Sequence, residues 1–369
     1  MSGLGLRRTA GALAAVAAAL LAVAGTVAPA RAYPDPAITA GNGAVNIAAV
    51  GPQDSLMFYQ AVDGSPTWTA ETVAAPGTTY SDPSVTVAGG TVDIAALGPG
   101  NSLMLYSAAG GTGTWSAQAV AGPGSAYSAP SVIAVGGTLD IAVQGPDGTL
   151  MLYWLYRASN GTSAWIAETV EPGATVFSEP TMTLAGNDVY IAYLSLALTP
   201  VVVWAVNGSS TWSFTVPPAP AFHVASVPDI TASGNTVDLT YTTTSGQLRF
   251  LWSVDGSSTW DVQDVTGTGV TASTGAPVVI SNGAITIAAT GLQGQLLFYW
   301  AALGSPAWNA ETVAGPGSTV SVPAMTANGN AMNITAIGPA SQLDFYWATD
   351  GTPGWNPEVI AGSTGLPQP

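Results

Sequence analysis

The side chains best equipped to engage a ligand are the tryptophans. All 12 fall into two series. One runs Trp68, Trp115, Trp165, Trp212, Trp260, Trp308 and Trp355. The other lies eight residues earlier, at Trp204, Trp252, Trp300 and Trp347, and eleven earlier at Trp154; Gln60 and Ser107 take that place in the first two instances. An indole can do two things here. It can stack on the apolar face of a sugar ring, or it can fill a gap between packed segments, burying about 150–250 Å². The carboxylates form two further sets. Asp35, Asp82 and Glu179 each precede a proline, and if brought together they offer the acid and second carboxylate that glycoside hydrolysis needs. Glu71, Glu168, Glu311 and Glu358 recur three residues after a tryptophan, with Gln118 and Gln263 substituting. Recurrence of that kind suits a structural role, or a site repeated many times, better than one active centre.

Other chemistries are poorly supplied. The chain has no cysteine, which excludes disulfides, thiol catalysis and Cys-based zinc sites. No calcium-loop pattern occurs. His223, the one histidine, lies in a proline-rich stretch with no second ligand nearby, and no GxSxG elbow accompanies it. No catalytic residue, metal or cofactor is therefore assigned. Residues 1–32 read as a signal peptide: Arg7-Arg8, an apolar run to about Ala28, then Ala30-Arg31-Ala32. Cleavage after Ala32 predicts a secreted protein with no stable membrane insertion. It leaves Arg157 and Arg249 as the basic residues against 21 carboxylates, a balance that repels nucleic acid and anionic membrane alike.

The elements that must position the tryptophans repeat with them. The first series is spaced 47, 50, 47, 48, 48 and 47 residues apart, and Pro36, Pro83, Pro130, Pro180, Pro228, Pro277 and Pro323 keep step with it. Two markers sharing one period seven times define seven units. Each unit reads as four short strands separated by Gly, Asn and Asp turns. Proline is tolerated at the first strand's opening because no ladder donor is needed there. Val92-Asp93-Ile94-Ala95-Ala96-Leu97 typifies the second strand, Leu296-Leu297-Phe298-Tyr299-Trp300 the third and Trp260-Asp261-Val262-Gln263-Asp264-Val265 the fourth. Four strands per unit of about 40–50 residues predict an all-β fold, a seven-bladed β-propeller of four-stranded antiparallel blades. The propeller spans 33–369, with repeats at about 36–82, 83–129, 130–179, 180–227, 228–276, 277–322 and 323–362 and a short C-terminal tail. The end units look as ordinary as the middle ones, which favours a closed ring over a capped solenoid.

Two resemblances follow from these motifs. Ser253-Val254-Asp255-Gly256-Ser257-Ser258-Thr259-Trp260, and more loosely Asp63-Gly64 and Asp350-Gly351, resemble the Asp box of sialidase-type propellers. That box stabilises a hairpin away from the chemistry, and two arginines cannot supply a sialidase's arginine cluster. The whole unit is well seen in Ser128-Ala129-Pro130, Gly137-Thr138-Leu139-Asp140-Ile141, Gly145-Pro146-Asp147-Gly148-Thr149-Leu150, Trp154, Trp165 and Glu168. It resembles the repeat of the bacterial seven-bladed propeller lectins that bind fucose and, more distantly, of the six-bladed fungal fucose-specific lectins. The resemblance implies carbohydrate binding between neighbouring blades, with a glycan or cell-envelope polysaccharide as partner. The implied ligand-binding residues are Trp154 and Trp165 together with the pairs Trp204/Trp212, Trp252/Trp260, Trp300/Trp308 and Trp347/Trp355. The fungal lectins carry an arginine in nearly every site, whereas Arg249 alone stands in a third strand here. Two other readings remain open: a structural or protein-interaction propeller at the cell envelope, and a polysaccharide-cleaving enzyme using Asp35, Asp82 or Glu179.

Overall fold

The computed structural model describes residues 34–62, 64–157, 163–170, 175–219, 223–254, 257–272, 274–349 and 354–362, the side chain of Arg157 excepted. Residues 1–32, and with them the signal-peptide expectation, lie outside that range. So do Asp63, Asp255-Gly256 and Asp350-Gly351 of the Asp-box resemblance. Twenty-eight strands form seven four-stranded antiparallel sheets, each built from four consecutive strands. Blade 1 comprises Ala37–Gly41, Ala44–Gly51, Ser55–Val62 and Thr69–Ala74; blade 7 comprises Ala324–Asn328, Ala331–Ile337, Leu343–Thr349 and Asn356–Ala361. The first strand of every blade packs against the first strands of both neighbours, and that of blade 1 meets that of blade 7. The ring is closed, and no strand is exchanged between blades to close it. Among the described residues no helix is long and apolar enough to cross a membrane.

Burial follows strand order. The second strands are almost wholly buried, as in Ala44–Gly51 and Thr91–Gly98, whereas fourth strands such as Ser116–Ala121 are largely exposed. A strand covered on both faces needs a continuous apolar run, and these read Ala-Val-Asn-Ile-Ala-Ala-Val and Val-Asp-Ile-Ala-Ala-Leu. The hairpins between first and second strands need two successive residues at positive φ. Asn42-Gly43 (56° and 71°) and Gly89-Gly90 (55° and 86°) provide them.

Successive strand residues face opposite ways, so each sheet offers one face to the blade before it and one to the blade after. The buried apolar residues accordingly gather into seven clusters, each shared by two neighbouring blades. The core of this protein is its seams. Polar latches cross them near the inner strands: Asp35 Oδ1 accepts the Val322 N–H at 2.8 Å, and Asp82 Oδ1 accepts the Asp35 N–H at 2.9 Å. Ser84 Oγ accepts from Val132 N–H and Ser131 Oγ from Met182 N–H, each at 3.1 Å. The serine two places before the inner proline has its own task. Ser81, Ser128, Ser178, Ser226 and Ser321 each accept the N–H of Leu97, Gln144, Leu194, Thr242 and Ile337 respectively, tying the inner connection to the end of the second strand.

Candidate functional site

The tryptophans of the two series meet, but across blades. Because of the strand alternation, a third-strand tryptophan faces the following blade and a fourth-strand tryptophan the preceding one. Trp154 shares a cluster with Trp212, Trp204 with Trp260, Trp252 with Trp308, Trp300 with Trp355, and Trp347 with Trp68. The within-blade pairs Trp204/Trp212, Trp252/Trp260, Trp300/Trp308 and Trp347/Trp355 are therefore re-sorted: the two rings of one blade lie on opposite faces of its sheet. Trp68 and Trp115, left out of the sequence reading because the first two blades lack a third-strand partner, are seam residues equal to the rest.

Two of the pairs grip a phenylalanine between them. Phe250 lies 5.6 Å from Trp252 in a stacked arrangement and 5.5 Å from Trp308 edge-on; Phe298 is held in the same way by Trp300 and Trp355. Trp68 meets Phe345 edge-on at 4.9 Å. All the tryptophans but Trp260 stay half-buried, so most rings keep an open edge or face.

The recurring fourth-strand acid also crosses the seam. Glu71 accepts the Trp115 indole N–H at 2.9 Å, Glu168 that of Trp212 at 3.0 Å, Gln263 that of Trp308 at 3.0 Å, and Glu311 that of Trp355 at 3.1 Å. Glu358 closes the circuit. Its Oε2 accepts from Trp68 at 2.9 Å and its Oε1 from Trp347 at 3.0 Å, so one carboxylate joins an indole from each side. Two seams lack this link: the indole nitrogens of Trp165 and Trp260 are buried without a partner. The preceding blades carry the exposed Gln118 and the short Thr215 at the matching place.

Beneath the rings each second strand carries a buried residue that pairs in register with the third-strand position, and all but Tyr190 are small and polar. The set is Asn46, Asp93, Asp140, Tyr190, Asp238, Thr286 and Asn333. Burial pushes the Asp140 carboxyl up to about 6 and the Asp238 carboxyl up to about 7. The periodic Asp of the second strand was visible in the sequence; its place in the seam was not.

Two clefts open on these residues. Between blades 3 and 4, Asp140, Trp154, Glu168 and Trp212 line a space of about 10 Å³, room for about one water. Between blades 7 and 1, Asn333, Trp347, Glu358 and Trp68 line a cleft of about 520 Å³, walled by Val45, Ala61 and Phe345 and by the hairpin residues Asn328 and Ser65. That volume lies within the usual range of small-molecule sites.

Ring, seams and half-open tryptophans invite comparison with known folds. The BP39L lectin of Burkholderia pseudomallei superposes with a TM-score of 0.78 at 16% identity, over 89% of this chain and 99% of that one. The fold is that of the propeller lectins. The six-bladed fungal lectin of Aleuria aurantia, described with a novel fucose recognition mode, gives 0.52 at 16% identity over 77% of this chain and 96% of its own. The SapL1 lectin in complex with alpha methyl fucoside gives 0.52 at 13% over 80% and 99%. At such identities the likeness to these lectins is one of fold alone. No family model matches the chain, and no curated protein matches it in sequence.

Within the propeller the remaining candidates take structural places. Asp35 and Asp82 are joined through the inner latch, their carboxylates already accepting backbone N–H groups, while Glu179 stands at the same place in blade 4. Arg249 forms an ion pair with Asp264 at 3.0 Å. The His223 carbonyl accepts the Thr244 N–H. Among the described residues no group of three or more His, Cys, Asp or Glu side chains is placed to hold a metal.

Proposed function

We propose that this is a secreted, non-catalytic glycan-binding protein that holds neutral sugars in the seams between blades. The observation that carries the reading is the 520 Å³ cleft between blades 7 and 1, where Trp347 and Trp68 face one space and Glu358 ties both indoles. Indole faces accept the C–H face of a pyranose, and fixed polar groups at the edge orient its hydroxyls. Support also comes from the lectins that share the fold. The excess of carboxylates disfavours sulfated, phosphorylated or uronic acid ligands, so free or envelope-bound neutral polysaccharide is the partner expected.

One weak site suffices to start. A millimolar contact is worth about −4 kcal/mol, and further seams engaged on a polymer add avidity. The test is a glycan array probed with the secreted chain, followed by Trp347→Ala and Trp300→Ala. Binding to neutral glycans that Trp347→Ala abolishes is expected. Silence toward every glycan, with the fold intact, would sink the reading.

A further inference from the structure

The same asparagine occupies two neighbouring seams and is treated differently in each. In the seam between blades 1 and 2, Asn46 is wholly buried and its amide is satisfied: Nδ2 donates to the Ala44 carbonyl at 3.3 Å, and Oδ1 accepts from Gln60 Nε2 at 2.8 Å. Gln60 also donates to the Gly110 carbonyl of blade 2 at 2.9 Å. Its carboxamide thus plugs the seam between the buried asparagine and the facing hairpin. The fit is close, since a Cβ at Gly111 would lie 2.8 Å from Gln60 Nε2.

In the seam between blades 7 and 1 the asparagine is Asn333, 4% exposed. Register places Trp347 opposite it, where Gln60 stands opposite Asn46. An indole cannot replace the carboxamide as a partner to that amide; its N–H is taken by Glu358. Asn333 Oδ1 thus lacks the donor that Gln60 supplies to Asn46; its Nδ2, unlike that of Asn46, has no hydrogen-bond partner, and neither does the buried Nδ2 of Asn328. Asn328 lies on the same face, since Asn328↔Ala331 and Thr326↔Asn333 are registered pairs two steps apart. Both residues line the open cleft. At Gly64, four residues before Trp68 as Gly111 is four before Trp115, a Cβ would meet nothing within 4 Å. A buried amide without a partner costs free energy that a ligand can recover.

We propose that the seam between blades 7 and 1 takes a neutral N-acetylated sugar residue, whose acetamido group fills the place that the Gln60 carboxamide fills one seam away. This inference rests on the glycan-binding reading above and narrows it to one seam and one chemical class. Both groups are planar amides with one acceptor oxygen, and the acetamido group keeps one of the two N–H donors that Gln60 uses. The ligand N–H repeats the Gln60 bond by donating to Asn333 Oδ1, its carbonyl accepts from the unpartnered amide nitrogens once those side chains turn into the cleft, and its methyl group meets the apolar wall of Val45, Ala61 and Phe345. The pyranose ring lies against Trp347 and Trp68. The two unpartnered amide nitrogens are matched by the acetamido carbonyl, an acceptor that a plain hexose lacks.

The test is titration calorimetry of the intact protein with N-acetylglucosamine, N-acetylgalactosamine and N-acetylmannosamine, against glucose, galactose and methyl fucoside. At least one N-acetylated sugar is expected to bind about tenfold or more tightly than its counterpart lacking the amide. Asn333→Ala is expected to remove that preference, whereas Phe214→Ala, on the exposed fourth strand of blade 4, leaves it unchanged. Trp347→Gln rebuilds the plug of the seam between blades 1 and 2 and should abolish binding while the ring still melts cooperatively. Equal or tighter binding of sugars without the amide would overturn the inference and leave the lectin reading standing. So would a preference that survives Asn333→Ala. Failure of every sugar on both panels would overturn both.

Discussion

The residue that decides most at this scale is Glu358. Its two oxygens serve indoles from the last blade and the first, at the seam that closes the ring. Glu358→Ala leaves two half-buried N–H donors without an acceptor and should cost on the order of 2 kcal/mol in chemical denaturation. Glu311→Ala, from an exposed carboxylate serving the Trp355 N–H, should cost less. The converse repair is available in the seam between blades 4 and 5. Thr215 stands in register where the other blades carry Glu or Gln, and Trp260 Nε1 is buried without a partner. Thr215→Gln is expected to raise the melting temperature by a few degrees, a gain of roughly 1 kcal/mol. The recurrence of the acid was legible in the sequence, and so was its meaning as a repeated part. Its partner was not, because that partner lies 44 residues away in the next unit.

At the scale of the element, the second strand governs how closely the blades can approach. Ala48, Ala95, Ala142, Ala192 and Ala288 are fully buried on these strands, and covering both faces leaves no side free to absorb a larger group. Ala95→Leu should therefore destabilise by about 1–3 kcal/mol through overpacking, whereas Ala117→Leu on the exposed fourth strand should stay within about 0.5 kcal/mol. Paired thermal melts of the two variants check this. The sequence marked these strands by composition, as apolar runs broken by one polar residue. That polar residue reads as an interruption in one dimension, yet it forms the floor of a seam once the third strand is laid beside it.

The whole molecule carries its buried carboxyls in the seams, and this gives its stability a direction with pH. Asp140, Asp238 and Asp344 are held at about 6, about 7 and about 6, each raised first by desolvation. The folded state thus binds these protons more tightly than the unfolded chain. Their contribution is complete below the ordinary carboxylate range and is lost as pH rises through about 6 to 7. Melting temperature is expected to be higher near pH 5 than near pH 8, by roughly 5 °C. Asp238→Asn, which leaves an amide of the kind already found at Asn46 and Asn333, should flatten the profile. A melting temperature that climbs steadily from pH 5 to pH 8 would contradict this account.

The chain alone settled the architecture, because a period repeated seven times in two independent markers leaves little else for four-stranded units to build. It also settled which residue types recur: two tryptophan series, an acid, a polar residue in the second strand. Only the closed ring decided which of them touch. Alternation of side chains sends the two tryptophans of one unit to opposite faces, so every pair is made with a neighbour. The last pair, Trp347 with Trp68, is made only because the ring's two ends meet. Whether a seam is plugged or open depends on one third-strand side chain and the hairpin facing it from the next blade, a relation between units that no single repeat contains.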